Sequence, residues 1–276
     1  MIFPAMEDWD DAYTNGAHIA QGESYPARWA EAAKSFREAI ANMGSVRLDL
    51  PYGPLPRNRL DLFLPRATPQ GLFVFAHGGY WMGFDKSSWS HLARGALERG
   101  FAVALPSYTL CPDIRIGGIV REIGAAITFA AKEVEGQLYL AGHSAGGHLV
   151  SRMIAQPTVL PEDVRRRITH VVSISGVHDL RPMMKTAMNA TLKLDEAEAR
   201  AESPPLLDPA PGARLTCWVG AAERAEFIRQ NALLANAWRG LGAATDCVME
   251  DNRHHFNVIE GLTDPQSPLT KALFEA

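Results

Sequence analysis

The sequence contains few cysteines, no long hydrophobic run and no large excess of charge of either sign. Its three cysteines are scattered, form no C-x-x-C pair and are too few for a disulfide framework, which favours a reduced, cytoplasmic setting. No apolar run approaches the roughly 20 residues that a membrane-spanning helix needs. The formal net charge of −4 gives no electrostatic reason to expect nucleic acid or an anionic membrane as a partner.

The first residues also lack the features of a secretory signal. An acidic stretch over residues 1–11 stands where such a peptide has a basic region followed by an apolar core. No internal repeat, low-complexity tract or interdomain linker interrupts the 276 residues. Hydrophobic content of 47% and charged content of 21% suffice for one sizeable core. We therefore expect a single domain over residues 1–276.

The sequence does contain a regular alternation of apolar runs with helical patterns. Alternating apolar residues predict two half-buried antiparallel strands over residues 46–50 and 60–64. Continuous apolar runs predict further strands over residues 72–76, 101–105, 137–141, 171–175, 215–219 and 245–249. Helices are predicted near residues 86–99, over residues 118–134 and from residue 147 to Pro157. This pattern indicates an α/β fold whose mostly parallel sheet has about eight strands and helices on both faces.

Two segments lie outside this alternation. Residues 1–43 contain a helical stretch whose apolar stripe runs from Trp29 to Ile40, and we expect this segment to pack onto the core near the functional site. Residues 176–211 are rich in methionine and proline, and we expect them to form an excursion that caps the sheet.

The segment with the most chemical information is residues 142–146, which reads G-H-S-A-G between a predicted strand and a predicted helix. In this setting the G-x-S-x-G motif predicts a nucleophile elbow, a turn so tight that the hydroxyl of Ser144 is exposed above the sheet. The motif is not specific by itself, because a chain with 23 glycines can contain it by chance. The neighbouring His143 and His148 lack the spacing of a metal pair, and we expect both to pack around the elbow.

A serine hydroxyl is a poor nucleophile at neutral pH, so it needs a base and an acid that orients the base. In this architecture the acid and then the histidine follow the serine, each after a later strand. Glu223 follows the strand over residues 215–219, and His255 follows the last strand. We predict Ser144, Glu223 and His255 as the catalytic residues.

Alternatives stay open for the base and the acid. His254 competes with His255, and no carboxylate or cysteine cluster makes a metal site of this pair. The other carboxylates near strand ends are Glu226, Asp246, Asp251 and Asp179. We expect Glu226 on the surface at a helix start, Asp246 solvated at a strand end, and Asp179 in the cap of a turn.

An oxyanion site is predicted by residues 77–81, which read H-G-G-Y-W directly after the strand over residues 72–76. Lipases and esterases carry their oxyanion loop at this place. Glycines there let backbone N–H groups approach a developing negative charge without a Cβ in the way. We predict the N–H groups of Gly79, Tyr80 and Ala145 as the donors.

With these residues in place, the sequence resembles the kynurenine formamidase (arylformamidase) group of α/β-hydrolases, which is related to the hormone-sensitive-lipase-like esterases. The resemblance covers nearly the whole chain. It rests on R-L-D-L-F-L-P from residue 59, the H-G-G-x-W loop, S-Y-T-L-C-P from residue 107, the elbow, S-G-V-H-D-L-R-P from residue 175 and H-F-N-V from residue 255. One departure is the acid, since the better-known members carry Asp where this chain offers Glu223.

The resemblance implies an α/β-hydrolase fold and hydrolysis of N-formyl-L-kynurenine to kynurenine and formate, a step of tryptophan catabolism. Ser144 would attack the formyl carbon, with no metal or organic cofactor required. Because a formyl group is small, specificity would have to come from the amine side. We predict substrate contacts from Tyr80, Trp81 and Phe84, with anchoring of the loop as the alternative role of Trp81.

Two other functions remain as alternatives. A carboxylesterase acting on small acyl esters would use the same site, and a non-catalytic ligand-binding protein could share the fold. In each case the expected partner is a small molecule. The oligomeric state is left open, a homodimer included.

Overall fold

The structure is a computed structural model that describes residues 6–42 and 44–275. Within them the strands are β1 Gly44–Pro51, β2 Arg59–Pro65, β3 Gly71–Ala76, β4 Ala102–Pro106, β5 Gln137–His143, β6 Ile168–Ile174, β7 Arg214–Gly220 and β8 Ala244–Glu250. The α-helices are α1 Trp9–Tyr13, α2 Tyr25–Ala39, α3 Arg94–Glu98, α4 Ile116–Glu133, α5 Ala145–Met153, α6 Glu162–Arg165, α7 Asn189–Leu192, α8 Glu196–Ala201, α9 Ala225–Gly240 and α10 Pro268–Phe274. Short 3₁₀-helices are Gly16–His18, Gly22–Ser24, Ile40–Asn42, Lys86–Ser88, Ser90–Ala93, Pro182–Lys185, Pro204–Leu206 and Val258–Thr263.

All eight strands belong to one sheet in the order β1-β2-β4-β3-β5-β6-β7-β8. β1 pairs with β2, and β2 with β4, in antiparallel fashion, whereas every other pair is parallel. The prediction of a mostly parallel sheet with an antiparallel N-terminal pair is confirmed.

Each face of the sheet is covered by its own hydrophobic core. In β3, Leu72 and Val74 contribute to a core built with α4, α5 and α9, while Phe73 and Phe75 contribute to a core built with α2, α3 and α10. A strand buried on both faces must be apolar at every position, and this explains the continuous apolar runs in the sequence.

β2 differs from its prediction because it is buried on both faces. Leu60 and Leu62 lie in one core and Phe63 in the other. Asp61 is buried between them, and its carboxylate forms an ion pair with the Nζ atom of Lys86 at 2.8 Å. The middle of the strand, residues 60–63, is therefore buried on both faces rather than on one.

Two predicted helices are shorter than expected. Residues 86–99 form two 3₁₀-helices followed by the short α3, and the Asp85 carboxylate caps the first of them by accepting hydrogen bonds from the N–H and hydroxyl of Ser87 at 2.7 and 2.6 Å. The helix after the elbow ends at Met153, ahead of Pro157.

The topology places the site. The chain leaves β3, forms β4 on one side and then crosses to form β5 on the other, so the direction of winding changes between β3 and β5. Ligands of open α/β sheets bind at the carboxyl ends of strands at such a change.

No helix within residues 6–42 and 44–275 has both the length and the hydropathy needed to cross a bilayer.

Candidate active site

Ser144 lies on a strained turn between β5 and α5. Its φ of 56° and ψ of −117° are uncommon for a residue with a side chain, and its N–H donates to the carbonyl of Ile174 at 2.8 Å. The flanking glycines leave no room for a side chain. A Cβ on Gly142 would lie 2.1 Å from the Gly146 carbonyl oxygen, and a Cβ on Gly146 would lie 2.0 Å from that of Ala76. The turn can therefore form only with glycine at both places.

His255 and Glu223 meet at the carboxyl ends of β7 and β8. The Nδ1 atom of His255 lies 2.7 Å from Oε2 of Glu223, and the two side chains are 4% and 0% exposed. The other carboxylate oxygen accepts hydrogen bonds from the N–H of Gly220 at 2.8 Å and from the hydroxyl of Ser175. Because a carboxylate accepts, Nδ1 of His255 is the donor of this hydrogen bond, and Nε2 is the ring nitrogen that is left to act as a base.

Ser144 and His255 line one pocket, and no hydrogen bond joins their side chains among the residues described. A base can still serve in this state, since catalytic hydrogen bonds often form only when substrate is bound. The structure thus brings all three predicted residues to the same edge of the sheet.

The competing carboxylates lie elsewhere. Asp246 and Asp251 are exposed, and Asp179 forms a two-pronged ion pair with Arg181. The prediction that Glu226 lies on the surface is wrong, because Glu226 is buried and accepts a hydrogen bond from the hydroxyl of Tyr13 at 2.6 Å. The α1 segment covers this end of α9, which a helix start read from the sequence does not reveal.

The loop after β3 has an unusual backbone at three consecutive residues. Gly79, Tyr80 and Trp81 have φ values of 108°, 51° and 58°. A Cβ on Gly79 would lie 2.6 Å from the Gly83 carbonyl oxygen. Gly79 and Tyr80 line the pocket, while Ala145 is buried beside it at the start of α5. The three predicted oxyanion residues therefore surround Ser144.

The pocket has a volume of about 330 Å³ and is rich in aromatic rings. The rings come from widely separated parts of the chain: Tyr13, Trp29, Tyr80, Phe84, Trp89 and Phe256. Tyr80 is held by the N-terminal segment, since its hydroxyl donates to the carbonyl of Tyr13 and accepts from Nδ2 of Asn15 at 3.1 Å. Of the segment predicted as residues 1–43, residues 1–5 and 43 lie outside the described residues.

The three predicted substrate contacts separate into two groups. Tyr80 and Phe84 line the pocket, and Phe84 is 36% exposed. Trp81 is fully buried, stacks edge-on against His148 with ring centroids 5.3 Å apart, and is not part of the pocket lining. The expectation of a substrate contact from Trp81 is therefore wrong. Its ring fixes the loop to α5, which is the alternative role considered for it.

Sequence reasoning missed most of the pocket wall. Asp10 and Asn15 from the N-terminal segment, Trp89 and Met188 all line the pocket. The apolar stripe that contains Trp29 predicts packing near the site but no contact with substrate, and Phe256 enters the sequence analysis only through the H-F-N-V motif. The period of α2 predicts which of its residues are covered but not which of them face a cavity.

His143 also lines the pocket, directly before Ser144. Burial, and to a lesser degree the nearby His255, lower the pKa of His143 well below its ordinary value. Among the described residues, no three His, Cys, Asp or Glu side chains gather in a way that would hold a metal ion.

Comparison with known proteins supports this description. The BD-FAE family model matches residues 60–204. A kynurenine formamidase from Danio rerio is 27% identical over 98% of both chains. A solved structure from Silicibacter sp. TM1040, provisionally described as a thioesterase, is 53% identical, covers 98% of this chain and 99% of its own, and superposes with a TM-score of 0.92. Esterase B from Lactobacillus rhamnosis shares the fold at 17% identity, with a TM-score of 0.66 and 91% of each chain covered.

Proposed function

The chain belongs to the BD-FAE family and is a hydrolase with the α/β-hydrolase fold, and from this we propose that it is a serine hydrolase of aryl formamides, with N-formyl-L-kynurenine as its substrate. The observation that supports this most is the aromatic pocket, which opens directly onto Ser144 and His255. Its volume of about 330 Å³ fits one substituted aryl ring. The full-length similarity to kynurenine formamidase supports the same choice.

The reaction proceeds in two halves. Ser144 Oγ attacks the formyl carbon while Nε2 of His255 takes the hydroxyl proton, and the N–H groups of Gly79, Tyr80 and Ala145 stabilise the oxyanion. His255 then gives this proton to the arylamine nitrogen as the C–N bond breaks. In the second half, His255 takes a proton from water, which attacks the formyl ester. The ester bond breaks, the proton passes from His255 to the Ser144 oxygen, and formic acid leaves and releases its own proton to solvent to give formate.

Glu223 keeps His255 in the productive tautomer and stabilises the imidazolium that forms. Replacing Glu223 by Gln removes the charge but keeps the size, and we expect kcat to fall by about 10²- to 10⁴-fold. Asp246→Asn and Asp251→Asn are the matched controls, and both should keep the activity of the parent protein. Near-normal kcat in Glu223→Gln would show that the acid is another residue.

Hydrolysis of carboxyl esters or thioesters is the second candidate, because solved structures with this fold are esterases and one close relative carries a thioesterase description. The same three side chains would cleave either bond. The large polyanionic thioesters of coenzyme A are disfavoured, since the described residues of the pocket lining include Asp10 and no lysine or arginine.

The experiment compares kcat/KM for N-formyl-L-kynurenine, 4-nitrophenyl acetate and acetyl-coenzyme A. We expect the formamide to be the best substrate. A preference for the acetate ester above about 100-fold, a difference of some 2.7 kcal/mol in transition-state stabilisation, would overturn the formamidase assignment. Labelling by a fluorophosphonate probe tests the nucleophile separately. The parent protein should be labelled and Ser144→Ala should not; equal labelling of both would exclude Ser144.

A further inference from the structure

Among the described residues, one carboxylate lines the aromatic pocket, that of Asp10. Asp10 lies in the first turn of α1 and lines the pocket with the rings around Ser144. Among the described lining residues there is no lysine or arginine, and the two histidines are His143 and His255, of which His255 pairs with the Glu223 carboxylate. His143 is held uncharged by burial. The net electrostatic character of this wall is therefore negative.

One oxygen of Asp10 is already engaged by the protein. Oδ1 accepts a hydrogen bond from the backbone N–H of Ala187 at 2.7 Å, next to Met188, which also lines the pocket. Within residues 6–42 and 44–275, Oδ2 has no hydrogen-bond or ion-pair partner. The bond to Ala187 fixes the carboxylate against the rim of the pocket and leaves the second oxygen available.

The neighbouring charges are committed to other contacts. Asp11 pairs with Arg224 and His18, away from this pocket lining. Lys185, the nearest basic residue along the chain to Ala187, places Nζ over the ring of Trp9 at 4.6 Å from its centroid. Apart from the proposed oxyanion donors beside Ser144, the described lining has no lysine or arginine to attract an anion, whereas Asp10 would attract a cation.

We propose that Asp10 is a specificity-determining residue that binds an ammonium group carried by the aryl substrate. The preferred substrates are then aryl formamides whose ring bears a side chain ending in an amine, and a carboxylate on that side chain contributes nothing. The identity of the cleaved bond rests on the proposed function, whereas the preference for a positively charged substrate does not depend on it.

Three formamides that share one ring separate these contributions. N-formylkynuramine carries the ammonium alone, N-formyl-L-kynurenine carries ammonium and carboxylate, and 2-acetylformanilide carries neither. We expect kcat/KM of the first to equal or exceed that of the second. It should exceed that of the third by about two- to five-fold, the range of a partly exposed ion pair. The gain should lie in KM and not in kcat, and it should shrink in about 0.5 M salt.

Asp10→Asn removes the charge and keeps an oxygen that can accept from Ala187. This variant should lose the preference for N-formylkynuramine over 2-acetylformanilide. Glu7→Gln is the matched control, since it removes one negative charge from the same exposed segment without touching the pocket lining. It should keep the preference. An equal preference in Asp10→Asn and the parent, or no preference in the parent, would overturn the proposal.

Failure of the formamidase assignment would look different. If no formamide is hydrolysed, the same comparison is made with 3-(trimethylammonio)phenyl acetate and 3-tert-butylphenyl acetate, which have nearly the same shape. A preference for the cationic ester that Asp10→Asn abolishes supports the role of Asp10 with a different scissile bond. Equal rates for the two esters overturn it.

Discussion

His143 donates a hydrogen bond from Nε2 to the backbone carbonyl oxygen of His255 across 2.8 Å. The two imidazole rings also pack together, with centroids 4.6 Å apart, and both residues are buried. A carbonyl can only accept, so His143 is the neutral tautomer with its proton on Nε2. The residue beside the proposed nucleophile thereby holds the loop that carries the proposed base.

His143→Phe should lower kcat by about tenfold, because it keeps a ring but leaves a buried carbonyl without its donor, a cost of about 1–3 kcal/mol. His143→Gln can still donate through its amide and should retain most of the activity. Steady-state kinetics on both variants, with unfolding curves to confirm the fold, make the comparison. Equal activity of the two variants would show that the hydrogen bond does not position His255.

Gly79→Ala should lower kcat by about 10²- to 10³-fold, the cost of one lost oxyanion donor. A Cβ at this position meets the Gly83 carbonyl oxygen at 2.6 Å, and the φ of 108° is unfavourable for alanine, so the loop must shift. Gly83→Ala is the control in the same loop, because its Cβ would find no heavy atom closer than 3.8 Å. Its kcat should be close to that of the parent, and similar values for both variants would argue against the loop as oxyanion site.

Trp81→Ala should mainly lower stability, whereas Phe84→Ala should mainly weaken substrate binding. Trp81 is fully buried, so its truncation should lower the free energy of unfolding by about 3–5 kcal/mol. Phe84 is 36% exposed, lines the pocket and packs edge-on against Trp29 and Trp89, so its truncation should raise KM for aryl substrates and cost less stability than truncation of Trp81. Urea unfolding and steady-state kinetics give the free energy of unfolding and the KM of each variant. A raised KM with normal stability in Trp81→Ala would contradict the structure.

Acid should destabilise the protein before its carboxylates are protonated. Burial lowers the pKa of His77 to about 4 and the pKa values of His148 and His178 to about 3. Below about pH 6.5 the unfolded chain binds these protons and the folded chain does not, so the free energy of unfolding falls as the pH falls. Each buried histidine contributes up to about 1.4 kcal/mol per pH unit in this range.

The measurement is the urea midpoint between about pH 7.5 and about pH 5. The midpoint should drop steadily across this interval, and His148→Gln should show a shallower drop because one histidine no longer titrates. A midpoint that is independent of pH would mean that these histidines are protonated in the folded protein as well.

Much of the fold could be predicted because burial on both faces forces strands such as β3 to be apolar throughout. The order of Ser144, Glu223 and His255 likewise follows from which strands precede them. Which of the Trp81 and Phe84 side chains faces the pocket could not be predicted, since it depends on three consecutive residues with positive φ in the loop. Residue types near glycines do not specify such a backbone.

The covering of Glu226 could not be predicted for a different reason. Its partner Tyr13 lies more than 200 residues earlier in the chain. Nothing local to α9 signals that contact, and a carboxylate in the first turn of a helix is usually exposed. The same distance explains why the N-terminal segment can be expected near the site, whereas the individual residues that line the pocket, such as Asp10 and Asn15, cannot be predicted.

The pocket wall is drawn from both ends of the chain, from Asp10 at one end to Phe256 at the other. During synthesis the turn that carries Ser144 is complete long before His255 leaves the ribosome. A nascent chain of that length has Ser144 without the proposed base and the aromatic wall without Phe256. On the proposed mechanism, an incomplete chain would therefore be inactive, and hydrolysis would begin only after His255 and Phe256 have taken their places in the pocket.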